Sequence, residues 1–171
     1  WFLKAEMMIS ATIILACQTI SFPEVKGKSL QGNEILFPSV FKSQPYHVVM
    51  IAFEQEQQLE VNTWLPHLQT LTESRNDLDY FELPTINRMN ALMRWIIYRG
   101  MRSGIKEDAS RKRTVTLHIE KDPFKEALKI ESESSIYAFL VDAEGNVMWK
   151  WKGLWSVDLW KDLLKSLPPE K

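Results

Sequence analysis

Apolar positions along this chain follow two rhythms that take turns. Val48 to Phe53 is an unbroken apolar run and predicts a buried strand. From about Gln57 to Glu73, Val61, Trp64, Leu65, Leu68 and Leu71 recur mostly at spacings of three and four, which predicts a helix. Pro66 falls inside that pattern and lacks an N–H, so a kink or a break into two shorter helices is expected there. Asp79 to Ile86 predicts a strand closed by Pro84, and Asn87 to Ile105 returns to helical periodicity. A basic loop, Lys106 to Arg113, then leads to a strand from Thr114 to Ile119. Asp122-Pro123 predicts the start of a short helix, with Asp as N-cap and Pro in the first turn. Ile136 to Val141 is a continuous apolar run of the kind buried on both faces of a sheet. Asp142 to Asn146 turns it into a strand from Val147 to Lys152, and an amphipathic helix from Ser156 to Leu167 stops at Pro168-Pro169.

Upstream, Phe22 to Val25 and Gly27 to Phe37 predict short strands with a turn at Gln31-Gly32-Asn33. Strands alternating with helices, then a hairpin and a last helix, define an α/β sandwich with a central mixed sheet flanked by helices. The 171 residues suffice for one domain with a full core, expected over residues 18–171. Residues 1–17 stand apart. Met7 to Ala16 is an apolar run of the length of a signal-peptide core, and Ile14-Leu15-Ala16-Cys17 resembles a bacterial lipobox, with Cys17 as the lipidated residue. The competing reading is a first buried strand in which Cys17 packs as a small apolar side chain.

Composition narrows the chemistry. The single cysteine rules out an internal disulfide, Cys-x-x-Cys exchange and a thiolate-rich zinc site. His47, His67 and His118 have no ligand spacing, so neither metal nor cofactor is expected. A formal charge of -1 argues against overall attraction to nucleic acid. Glu54, Glu56 and Glu60 could be read as a general acid and base pair, but carboxylates near a helix start favour the macrodipole without any catalysis, and that reading is the stronger. No glycine-rich phosphate loop and no nucleophile elbow is present.

The segment Asn87 to Arg113 is strongly patterned. On a helical wheel Met89, Leu92, Met93, Ile96, Ile97 and Met101 gather on one side, and Arg88, Arg94, Arg99 and Arg102 on the other, with Trp95 and Tyr98 among the arginines. Such a face suits an anionic membrane surface or a protein partner; the alternative is a solubilising face whose aromatics pack under a loop. Trp149 and Trp151 share one face of a strand by period two, so that face must be covered or must bind something.

From Phe22 onward the order of elements resembles the thioredoxin-like superfamily. Within it, Met101-Arg102-Ser103-Gly104-Ile105, Phe124 with Leu128-Lys129-Ile130, and Tyr137 to Asp142 followed by Gly145, Trp149 and Gly153 are similar to the mitochondrial ATP synthase assembly family, the type called ATPase complex subunit ten. Aligned on Phe53, the resemblance puts the positions of the redox cysteines at Gln58 and Val61, and that of the cis-proline facing them at Ile136. An amide and an isopropyl group form no thiolate. The resemblance therefore implies a non-catalytic thioredoxin-fold protein: a chaperone-like assembly factor that binds a protein partner, a membrane-embedded subunit, at a membrane. A lipidated Cys17 would place it as a bacterial lipoprotein or in the periplasm, whereas the family likeness implies the mitochondrial inner membrane. The rival reading is a redoxin-derived enzyme, a relative of peroxiredoxin or thioredoxin, whose active-site cysteines are displaced or lost.

Overall fold

A computed structural model describes residues 19–87, 97, 100–101 and 108–170. Seven strands form one mixed sheet: β1 (Val25–Ser29), β2 (Glu34–Phe37), β3 (Tyr46–Ala52), β4 (Leu78–Asn87), β5 (Val115–Ile119), β6 (Tyr137–Asp142) and β7 (Val147–Lys152), in the spatial order β2-β1-β5-β4-β3-β6-β7. The pairs β3–β4 and β4–β5 are parallel and the others antiparallel. The helices are α1 (Gln58–Ser74), α2 (Asp108–Arg113), α3 (Lys121–Ala127) and α4 (Val157–Ser166).

Alternation along each strand divides the core in two. Val49, Ile51, Phe81, Leu83, Phe139 and Val141 point to one side of the sheet, where Phe22, Phe37, Phe41 and α3's Phe124 cover them. Val48, Met50, Tyr80, Ala138, Leu140 and Trp149 point to the other, under Val61, Trp64 and Leu68 of α1 and Leu163 of α4. Trp149 is thus covered, and its indole N–H donates to Asp162 at 2.9 Å; its neighbour on the same face, Trp151, stays 40% exposed. The segment before β1 joins the β6–β7 turn through Phe22 N–H to Gly145 O at 2.7 Å. Gly145 takes φ +86°, and a Cβ there would lie 2.7 Å from Pro38 Cβ, so geometry and space both require glycine.

Four expectations are corrected. α1 runs through Pro66 as one helix, because Val61, Trp64 and Leu68 pin it to the sheet on both sides of the proline. Pro84 does not close β4: pairing with β3 ends at Ala52–Pro84 and the ladder with β5 begins at Thr85–Leu117, so the residue without an N–H sits where one neighbour hands over to the next. The last part of the basic loop is helical, as α2. Asp122 is not the cap of α3, which starts after Glu120; it lies in the first turn and pairs with Lys125 at 3.0 Å. Ser156 does cap α4, accepting from Leu159 N–H.

Candidate functional site

β3 leaves the sheet at Ala52, and a 3-10 turn over Gln55–Gln57 carries the chain into α1. Gln57 is buried and spans the gap between this turn and the loop before β6. Its side-chain oxygen accepts from Phe53 N–H at 2.8 Å, and its amide nitrogen donates to Glu133 O at 2.6 Å. One turn on, Glu60 accepts from Ile136 N–H at 3.3 Å and from the Ser135 hydroxyl through the same carboxylate oxygen. A third segment, which follows β7, completes the end. Gly153 N–H donates to Ile136 O at 2.9 Å, Gly153 O accepts from the Trp64 indole at 3.1 Å, and Trp155 N–H donates to the Thr63 hydroxyl at 3.1 Å. Gly153 has φ +109°, the left-handed conformation that lets the chain turn back onto α1.

Gln58, Val61 and Ile136, which the sequence resemblance aligns with the redox cysteines and the cis-proline, occupy this end. Gln58 opens α1 half-buried, and its amide donates to Asn62 at 3.1 Å and to Glu82 at 3.3 Å. Val61 and Ile136 are buried in one core cluster with Trp64. Among the described residues the one cis peptide is Phe37–Pro38, so Ile136 follows a trans bond. The polar groups between these positions serve as braces. Arg88, Arg94, Trp95, Tyr98, Arg99 and Arg102, the basic-aromatic face, and Cys17 lie outside the described residues.

Two carboxylates near this end sit in opposite environments. Glu82 points from β4 into the α1 side of the sheet, and burial pushes its pKa up against the opposing pull of Gln58, Thr114 and Arg113. Glu133 also loses hydration, but Lys121 and Lys125, each at 2.7 Å, hold it below the usual carboxylate range. Among the described residues no group of His, Cys, Asp and Glu has the arrangement to hold a metal ion, and no helix is long and apolar enough to cross a membrane.

Gln57 and the 131–135 loop escape sequence reasoning. Gln57 sits in a run of polar residues with nothing to mark it as the buried one, and its partner lies 76 positions away. The only local signal is Glu131-Ser132-Glu133-Ser134-Ser135, a wholly polar stretch directly before the most apolar strand.

The sheet order and the helices on both its faces define a thioredoxin-like fold. The chain is similar to an exposed lipoprotein thioredoxin from Streptococcus pneumoniae at 15% identity and a TM-score of 0.55, covering 85% of this chain and all of that one. It is similar to a thiol-disulfide oxidoreductase from Bacteroides fragilis at 11% identity and a TM-score of 0.56, over 86% and 99% of the two chains. BsSco, a member of the Sco family of cytochrome c oxidase assembly proteins, matches at 11% identity and a TM-score of 0.54, over 87% and 94%. No curated protein sequence matches the chain. The model of the ATP10 protein family matches residues 8–167, so the chain belongs to that family, the ATP synthase assembly family that its sequence resembles.

Proposed function

We propose that this protein is a non-catalytic assembly factor for ATP synthase that works by binding a subunit at a membrane. Membership of the ATP10 family supports the assembly role. The observation that carries the non-catalytic part is the use of the former redox end. Aligned on Phe53, the resemblance puts Gln58 and Val61 where thiols would be needed, and Gln57 and Glu60 tie α1 to the loop before β6. An amide and an isopropyl group form no thiolate, and the polar side chains beside them hold the frame.

Two measurements test the reading. Membranes lacking the protein, resolved on native gels, should contain less assembled ATP synthase and more unincorporated subunits; full assembly in its absence overturns the assembly role. Purified protein should reduce insulin disulfides no faster than buffer, and a turnover rate retained in Cys17→Ser would show an enzyme that works without the thiol.

A further inference from the structure

The site end carries apolar side chains that the fold does not use. Leu59, in the first turn of α1, is 75% exposed, and Leu154, beside Gly153, is 57% exposed. Leu59 lies one turn before Thr63 on the same stripe of α1, and the 153–155 segment crosses that stripe through the bond from Trp155 N–H to Thr63. The two leucines therefore flank one surface, and neither belongs to a core cluster.

The rim of this surface is acidic. Glu54 and Glu56 precede α1 and are exposed, and neither is within ion-pair distance of a described cation. Glu60 has neutral donors only, the Ser135 hydroxyl and Ile136 N–H. Of the nearby cations, Lys121 and Lys125 pair with Glu133, and Lys125 also with Asp122, while Lys152 donates to the neutral hydroxyls of Ser132 and Ser134 and so offsets part of the acidic charge. The near-zero charge of the whole chain conceals this local excess. An anionic membrane would be repelled here, whereas a cationic segment with apolar anchors meets both complements.

We propose that the surface between Leu59 and Leu154 docks a segment of a partner protein whose apolar side chains are flanked by lysine or arginine. This deepens the assembly reading and rests on it. The braces from Gln57, Glu60, Trp64 and Gly153 fix all three backbone segments, so little ordering cost falls on binding.

A fluorescein-labelled amphipathic peptide of leucine and lysine, titrated with the full chain and followed by anisotropy, tests the surface, with a leucine–glutamate peptide as the control. The basic peptide binds and the acidic one does not. Leu59→Ser and Leu154→Ser each weaken binding by about tenfold, the loss expected for one leucine anchor, while Leu59→Met retains it. Glu54→Gln with Glu56→Gln flattens the salt dependence. Equal binding of the basic peptide by the parent and the double serine variant overturns the proposal, as does equal binding of the two peptides. In cells the double serine variant accumulates but fails to support ATP synthase assembly. If it supports assembly while loss of the protein does not, the docking surface falls and the assembly reading stands. If loss of the whole protein leaves ATP synthase intact, the reading beneath both falls.

Discussion

His47 shows how a single side chain ties stability to pH. It is fully buried at the second position of β3, stacked on Phe81 with ring centroids 5.5 Å apart and 5.2 Å from Phe41. Nε2 lies 3.4 Å from the Ser43 hydroxyl, and no described group meets Nδ1. Burial lowers its pKa from 6.5 to about 4, against a weaker upward pull from Asp79. The folded protein thus holds the neutral ring while the unfolded chain takes up a proton below 6.5. Stability from this residue is complete above about pH 6.5 and is lost as pH falls toward 4. At about 1.4 kcal/mol per pKa unit the loss reaches about 3 kcal/mol. Denaturant unfolding of the parent and of His47→Leu at pH 7 and pH 4 checks this. The parent should lose about 3 kcal/mol more than the variant, and equal losses would mean that His47 is charged in the fold.

At the scale of elements, Pro66 is the sharpest case. The helical spacing of Val61, Trp64 and Leu68 was legible, and so was the conflict with a proline between them; the sequence does not show which of the two prevails. Burial decides: Trp64 and Leu68 are both fully buried on the sheet, while Pro66 faces solvent, so packing holds the helix across the missing hydrogen bond. Pro66→Ala restores an N–H that can reach Asn62 O. Proline costs a helix interior about 3 kcal/mol relative to alanine, and the freer unfolded chain of the variant offsets up to about 1 kcal/mol. The variant should therefore be more stable by about 2 kcal/mol, read as a raised denaturation midpoint at unchanged slope; a lowered midpoint would mean that α1 needs the proline's geometry. The same division runs through the rest of the chain. Strands β3, β6 and β7 and the capped helix α4 are written in local patterns and were readable to within a few residues. The braces of the site were not, because Gln57 to Glu133 and Glu60 to Ser135 are bonds between polar residues 76 and 75 positions apart, and no periodicity records a partner at that distance.

Over the whole molecule, charge is sorted although its sum is -1. Acids collect where α1 begins, while bases collect in the sequence between Arg88 and Arg113. Part of that basic segment serves the fold: Arg113 pairs with Asp79 at 2.8 Å and lies over the Tyr80 ring, and Arg111 donates to Leu30 O. Those two are poor candidates for a membrane contact, which leaves Lys106, Lys112 and the arginines at 88, 94, 99 and 102 with Trp95 and Tyr98 between them. If these meet anionic lipid, each arginine adds about 1 kcal/mol of attraction, which decays within a Debye length of about 8 Å at physiological salt. Replacing Arg94, Arg99 and Arg102 by Gln should then lower binding to phosphatidylserine-containing vesicles by about 100-fold. Added salt should produce the same loss in the parent. Trp95→Ala should also weaken binding, but that deficit should persist at high salt because the indole acts through apolar contact. Co-sedimentation with vesicles, alongside thermal melting, separates the outcomes. Vesicle binding by the triple variant equal to that of the parent removes lipid as the target of this face, and a Trp95→Ala chain that no longer melts cooperatively makes the indole part of the core.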